Sequence, residues 1–216
     1  MPSIITHAAV PLALWCAADR GRIPPRLLAA GVIAAMLPDA DVLAFALHIP
    51  YADAFGHRGA SHSLLFAGVL AALAAALAFF GSRRPWSAPH SSGSRRPWSA
   101  VSCQPRLAPT KAGATVASTV QAAVFVFVFV CAASHPLLDT MTSGGLGVAL
   151  AWPWSEQRFF APWRPIRVSP FAPQFFSARG VATLLSELRW VWLPLAGAVV
   201  AWKLIQPAPA APRDPS

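Results

Sequence analysis

Long stretches of the chain are almost free of charged side chains. The clearest lie at residues 64–80, 114–133 and 188–205, and each approaches the roughly 20 residues of helix that cross a hydrocarbon core. Across the 216 residues, 56% are hydrophobic and only 12% are charged, whereas roughly a quarter are charged in an ordinary soluble domain. The sequence therefore predicts an all-α integral membrane bundle of about four to five transmembrane helices.

A further stretch, residues 27–49, is long enough to span but contains Pro38, Asp39 and Asp41. Carboxylates at membrane depth are costly unless they are paired, protonated or bound to metal. We therefore expect this helix to be broken at Pro38 or to end near the interface. The first apolar stretch, about residues 4–18, is short and predicts a tilted crossing or a helix packed on the others.

Positive charge is concentrated between the apolar stretches, and the net charge is +9. Residues 81–113 contain arginines and a lysine but no acidic residue, which predicts a disordered cytoplasmic loop. We interpret the positive charge as a signal of which loops lie in the cytoplasm and as a contact for anionic lipid. We expect no nucleic-acid partner. Residues 1–206 then form one membrane-embedded domain interrupted by this loop, and 207–216 form a disordered tail.

The sequence GSRRPWSA occurs twice in the loop, at residues 81–88 and 93–100. It is too short and too polar to be the unit of a solenoid. One interpretation is a tandem duplication in a tolerant loop. The other is that its Arg and Trp side chains bind anionic lipid at the headgroup layer.

Most histidines and acidic residues fall in four short motifs beside or within apolar stretches. Imidazole and carboxylate together are the ligand set of zinc and related divalent ions. The motifs are Thr6-His7, Leu37-Pro38-Asp39-Ala40-Asp41, His57-Arg58-Gly59-Ala60-Ser61-His62-Ser63 and Ser134-His135-Pro136-Leu137-Leu138-Asp139.

Local spacing allows these side chains to converge. His135 and Asp139 are four residues apart, so they share a helix face if Pro136 begins a helix with His135 near its cap. His57 and His62 flank Gly59, which permits a turn that brings both rings inward.

Helix alternation brings the four motifs to one membrane face. Residues 64–80 and 114–133 are joined by the basic loop and form a hairpin, so His62 and His135 emerge opposite that loop. Continuing the alternation toward the N-terminus places His7 and Asp39 on the same face. The positive-inside rule then directs the site away from the cytoplasm.

Each motif alone has a structural explanation. His7 is then a polar first-turn residue, the two aspartates end a helix, His57 and His62 belong to an interfacial loop, and His135 caps a helix with Asp139 as its partner. Together these explanations leave costly carboxylates near the membrane without a role, so we favour a metal site.

These motifs resemble those of the YdjM-type family of bacterial inner-membrane, metal-dependent hydrolases: T-H, L-P-D-x-D, H-R-G-x-[ST]-H-S and S-H-x-x-x-D. The resemblance covers about residues 2–170 apart from the basic loop. The family is distantly similar to the zinc-dependent phospholipase C and P1 nuclease group, which implies helical phosphoesterases. The resemblance implies a multi-pass protein of the bacterial inner (cytoplasmic) membrane. The metal ligands that it implies are His7, Asp39, His57, His62, His135 and Asp139, with Asp41 a ligand or a partner of the ligands.

The function expected from this reasoning is hydrolysis of a phosphoester, such as a phospholipid. The reaction is expected to depend on a divalent metal, zinc first, and the site is expected to hold one, two or more ions. Asp41 is the expected proton acceptor and Arg58 the expected phosphate contact. Membrane lipid and a phosphoester or lipid substrate are the expected partners. A metal or proton transporter and a non-catalytic membrane adaptor are the alternatives.

Overall fold

The computed structural model describes residues 2–19, 21–82, 111–170 and 174–206. Within these ranges the chain is helical, and the only β pairing is two isolated bridges, Thr142 with Ile166 and Val148 with Phe159. The α-helices are α1 Ala9–Ala17, α2 Pro25–Met36, α3 Leu43–Ala46, α4 Leu64–Ser82, α5 Lys111–Thr140, α6 Ala178–Glu187 and α7 Leu193–Ile205.

Three helical segments are long and apolar enough to cross a membrane: Pro25–Ala46, Ser118–Thr140 and Ala178–Ile205. Ile4–Ala17 and Leu64–Phe79 are shorter apolar helices. Large apolar side chains lie on the outside, with Leu204 80% exposed, as in a bundle surrounded by lipid. The predicted all-α membrane bundle is confirmed.

The span Pro25–Ala46 is interrupted where the sequence predicted. The α-helix ends at Met36, and a 3-10 helix, Leu37–Val42, carries the Pro-Asp-Ala-Asp motif before α3 begins. Pro38 has no N–H to donate to the preceding turn. The interruption places Asp39 among buried side chains.

Small side chains bring α2, α4 and α5 close together. Ala34, Ala67, Ala71 and Ala132 are buried in one apolar cluster with Val128. Residues of this size let helix backbones approach closely, which is how helices associate in lipid. The packing places the ends of the three helices, which carry Asp39, His62 and His135, beside one another.

One expectation about Pro136 was wrong. It does not begin a helix, because α5 continues unbroken from Lys111 to Thr140 with Pro136 inside it. A proline removes one backbone hydrogen bond, and membrane helices tolerate this where neighbouring groups satisfy the freed carbonyl. His135 and Asp139 share a helix face on this continuous helix.

The basic loop was predicted at residues 81–113. Helix α4 continues to Ser82 and α5 begins at Lys111. The remainder of that loop, including most of the repeated GSRRPWSA, lies outside the described residues. The tail at 207–216 does so as well.

Candidate metal centre

Four buried side chains bring potential ligand atoms together at one end of α5. One atom each from Asp39, His62, His135 and Asp139 can be chosen so that all four lie within 4.8 Å of one another. Asp39 comes from the 3-10 helix after α2, and His62 from the 3-10 turn Ala60–His62 before α4. His135 and Asp139 come from α5. Three separate elements therefore supply the cluster.

The carboxylates of this cluster are buried without hydrogen-bond donors. Neither oxygen of Asp39 or Asp139 has a hydrogen-bond partner among the described residues. Arg58 Nε lies 3.0 Å from Asp139 Oδ2, but the two groups are not aligned as a hydrogen bond. Burial of carboxylates whose oxygens receive no hydrogen bond is unfavourable. A divalent cation would satisfy both, so the residues present fit a metal.

The two histidines of the cluster present the same ring nitrogen to each other. His135 Nδ1 lies 2.7 Å from the Ala35 carbonyl oxygen, which can only accept, so Nδ1 carries the proton. His62 Nδ1 lies 3.0 Å from Asp41 Oδ2, which places a proton on that Nδ1 as well. The two Nε2 atoms are 2.9 Å apart. Two lone pairs at this distance require a cation or a shared proton between them.

The surroundings of His62 favour a positive charge at this position. Burial opposes ionisation of the ring, but the nearby carboxylates of Asp139 and Asp41 raise the pKa of His62 to about 9. A proton therefore occupies the ring when no metal is bound. Metal binding must displace it.

Asp41 lies beside this cluster and orients its neighbours. Its carboxylate accepts from the Arg58 amide at 2.9 Å and from the Ser61 hydroxyl at 2.7 Å. It also contacts Nδ1 of both His57 and His62, at 2.5 Å and 3.0 Å. A carboxylate that fixes the far nitrogen of a histidine ligand sets its tautomer and ring orientation. Asp41 is thus placed as a partner of the ligands.

His57 lies on the far side of Asp41. Its Nδ1 faces the Asp41 carboxylate, and its ring packs against Phe45 and Tyr51. The structure does not bring His57 into the set of four converging ligand atoms. Its position supports the orientation of Asp41.

His7 approaches the cluster from the N-terminal segment. Its Nε2 is 3.7 Å from Asp39 Oδ2 and 3.7 Å from Asp139 Oδ1. Its ring stacks on His135 with centroids 3.6 Å apart. Both ring nitrogens are buried and lack hydrogen-bond partners. His7 is therefore a fifth potential ligand.

Arg58 is fully buried and directed at Asp139 and the chain that follows it. Its φ of 64° is unusual for a residue with a side chain. Its Nη2 donates to Thr142 Oγ1 at 3.0 Å, and its Nη1 to the Gly144 carbonyl at 2.9 Å. Gly145 has a φ of 92°, and a Cβ there would lie 2.6 Å from Arg58 Nη1, so the position favours glycine. Arg58 holds the segment after α5 against Asp139.

The buried carboxylate of Glu187 was not identified from the sequence. It accepts from the Ser3 amide and hydroxyl and, at 2.8 Å, from the Thr6 hydroxyl. Trp192 Nε1 donates to the same Thr6 oxygen. Glu187 therefore fixes the segment that carries His7. The available signal was a lone acidic residue within the last apolar helix, a costly placement that calls for a partner.

The segment after α5 also contains Glu156, Arg158 and Arg164. Arg158 donates to the carbonyl oxygens of His57, Tyr51 and Asp53. It ties this segment to the loop that carries His57. Arg164 lies over the Phe160 ring and is exposed.

Comparison with known proteins gives two matches. The family described as YdjM inner membrane protein matches residues 1–210. Inner membrane protein YbcI of Escherichia coli (strain K12) is 44% identical over 195 residues, which cover 90% of this chain and 92% of that protein. No solved structure matches the chain. The similarity to the phospholipase C and P1 nuclease group therefore stays an expectation from the motifs.

Proposed function

Since this chain belongs to the YdjM inner membrane protein family, we propose that it is a membrane-bound, divalent-metal-dependent hydrolase acting on a phosphoester such as a phospholipid. The observation that carries the proposal is the convergence of Asp39, His62, His135 and Asp139. Both carboxylates are buried without a hydrogen-bond donor, and the two histidine Nε2 atoms face each other. A bound divalent ion would satisfy the carboxylate oxygens and would take the position between the two Nε2 atoms.

The metal ligands in this proposal are Asp39, His62, His135 and Asp139, with His7 as the fifth. Zinc is the first choice, because it takes nitrogen and carboxylate ligands and tolerates four or five of them. Two bonds of about 2 Å to one ion span about 4 Å at most, so these ligand atoms, which lie within 4.8 Å of one another, would draw slightly closer on binding a single ion. Such an ion supplies Lewis acidity, which activates water for attack and offsets negative charge on phosphoryl oxygens.

The roles of Asp41 and Arg58 differ from those expected from the motifs. Asp41 is occupied by two histidines, one amide and one hydroxyl, so we assign it the orientation of His62. Arg58 is directed at Asp139, Thr142 and Gly144. We therefore assign it the placement of Asp139 and of the chain that follows α5.

A hydrolase explains the distribution of polar residues better than the alternatives do. A transporter needs ionisable groups along its path. Apart from their terminal Arg26 and Lys111, helices α2, α4 and α5 have only His135 and Asp139 as charged or imidazole side chains. A non-catalytic adaptor gives no reason for burying the carboxylates of Asp39 and Asp139 without hydrogen-bond donors. The enzyme proposal accounts for both observations.

The experiment is metal analysis of protein purified without chelators, followed by hydrolysis assays on phospholipid vesicles and on a soluble phosphodiester. We expect about one divalent ion per chain and hydrolysis that stops when a chelator removes it. His135→Ala and Asp139→Ala should each abolish metal binding, because each removes a ligand. His90→Ala, outside the described residues, should retain both properties.

Two results would contradict the proposal. If both variants retained metal at the wild-type level, the assignment of His135 and Asp139 as ligands would be wrong. Bound metal without hydrolysis of either substrate class would remove the enzyme assignment while leaving the metal centre. Metal content and activity are therefore measured on the same preparations.

A further inference from the structure

A polar cavity, separate from the metal ligands, lies between the segment after α5 and the start of α6. Its volume is about 480 Å³. Three arginines line it, together with the hydroxyl residues Ser143 and Thr183. The arginines are Arg164, Arg167 and Arg179.

The walls of this cavity are fixed to each other by backbone contacts. The Ser143 amide donates to the Ile166 carbonyl at 2.9 Å, which holds the segment between Arg164 and Arg167 against the chain that follows α5. The Arg167 amide donates to Ser186 Oγ at 3.0 Å, which ties it to α6. The three guanidinium groups therefore extend from a defined frame.

The three arginines carry positive charge without a neutralising partner. None of them forms an ion pair with a described residue. Glu156, in the segment after α5, is exposed and does not line the cavity. Glu187, on α6, is engaged by Ser3 and Thr6. By contrast, Arg58 and Arg158 are both used in internal contacts. An anion that enters the cavity would be attracted by all three of these exposed charges.

Phosphate is the anion that this arrangement suits. The guanidinium group is a planar fork that binds phosphate with paired hydrogen bonds. The exposed Ser143 also lines the cavity, whereas the Thr183 hydroxyl donates to the Arg179 carbonyl. Arg179 is in the first turn of α6, at the start of the span Ala178–Ile205. A site at the end of a membrane span lies at the depth of lipid headgroups.

We propose that this cavity binds the phosphate group of an anionic phospholipid headgroup, in the leaflet on the side of the metal centre. The site is adjacent to the metal centre along the chain. Ser143 follows Thr142, which accepts a hydrogen bond from Arg58, the residue beside Asp139. The proposal does not depend on the hydrolase activity, since it concerns binding alone.

The test is native mass spectrometry of the full chain with phosphatidylglycerol or with zwitterionic phosphatidylcholine. Arg164→Gln, Arg167→Gln and Arg179→Gln are compared singly and combined. Each should lower phosphatidylglycerol affinity about tenfold, the scale of one charged hydrogen bond. The matched control is Arg22→Gln, which removes the same charge from a surface arginine paired with Asp19. It should leave affinity unchanged.

Two further measurements make the result decisive. Metal content and thermal midpoint should be unchanged in the variants, which separates loss of the lipid site from loss of the metal centre. Arg→Lys variants, which keep the charge but lose the fork, should bind more weakly than wild type. Wild-type affinity in the triple variant, or an equal loss in Arg22→Gln, would overturn the proposal. Inorganic phosphate binding through the same arginines without lipid binding would overturn the lipid assignment.

Discussion

Asp41 controls the chemistry of a ligand that it does not replace. It accepts a hydrogen bond from His62 Nδ1, which directs His62 Nε2 toward His135. The Ala35 carbonyl does the same for His135. The tautomers of both histidines are therefore set from outside the cluster. Such outer partners tune ligand basicity as well as position.

Asp41→Asn tests this role. An amide nitrogen can donate where the carboxylate accepted, so the variant can no longer hold both His57 and His62 as donors through Nδ1. We expect metal affinity to fall by about 10- to 100-fold, the usual effect of losing such a partner. Competition with a chromophoric chelator measures the affinity.

The control is Asp53→Asn, an exposed aspartate whose side chain accepts from the Phe55 amide. An asparagine oxygen can still accept this bond, so the metal affinity should not change. Equal affinities in the Asp41 and Asp53 variants would show that Asp41 does not orient a ligand.

Glu187→Gln tests how His7 is positioned. The carboxylate accepts three hydrogen bonds from Ser3 and Thr6, whereas the amide group of glutamine presents two hydrogens to the same donors. We expect the N-terminal segment to loosen and metal affinity to fall, with the other four ligands still able to bind. The measurement is metal affinity together with proteolysis of the N-terminal segment.

Glu156→Gln is the matched control, since Glu156 is exposed in the segment after α5. It should behave as wild type in both measurements. Normal metal affinity and an unchanged cleavage pattern in the Glu187 variant would show that Glu187 does not position His7.

Packing between α2 and α5 places the metal ligands of the two helices. A Cβ on Gly31 would lie 2.6 Å from Phe127 Cε1 and 3.0 Å from Cys131 Sγ. The glycine therefore permits the close approach of the two helices. That approach also brings the Ala35 carbonyl to His135. The position of one ligand thus depends on a contact between helices.

Gly31→Val should separate these helices. The added side chain cannot fit against Phe127, and overpacking of this kind costs about 1–3 kcal/mol. We expect a lower thermal midpoint in detergent and reduced metal occupancy. Gly68→Val on α4 is the control, because a Cβ there meets nothing within 4 Å. Equal stability and metal content in the two variants would contradict the packing argument.

At the scale of the molecule, the metal centre lies at the ends of α4 and α5 opposite their connection. His62 precedes α4 and Asp139 is near the end of α5, whereas residues 83–110 join the other two ends. The arginines of that connection favour the cytoplasm. We propose that the metal centre therefore faces away from the cytoplasm.

Cysteine labelling in intact cells tests this orientation. Cys16, Cys103 and Cys131 are first replaced by serine, and single cysteines are then introduced as Ser92→Cys or Gln157→Cys. An impermeant maleimide that reaches the outer face of the inner membrane should label position 157. Position 92 should react only after the inner membrane is opened. Labelling of both positions from one side would contradict the proposal.

The all-α membrane architecture followed from the sequence alone. Membrane insertion depends on the summed hydropathy of contiguous residues, which is a local property. The interruption of the helix at Pro38 could likewise be predicted from the sequence, because the missing N–H of proline affects only the adjacent helical turn. The motif residues were found because carboxylates and imidazoles are conspicuous among apolar residues. Their nearness to one another was inferred from helix alternation.

Only the tertiary structure decided how these residues divide their roles. Asp41 and His57 have the same side-chain chemistry as Asp39 and His62, and sequence spacing does not tell which carboxylate faces the cluster. That depends on how α2 packs on α5 and how Gly59 turns the chain. Tertiary packing also explains three other features. These are the continuity of α5 through Pro136, the hydrogen bonds of Glu187 with Ser3 and Thr6, and the arginine-lined cavity. Each joins groups distant in sequence, and such contacts exist only after the helices have packed.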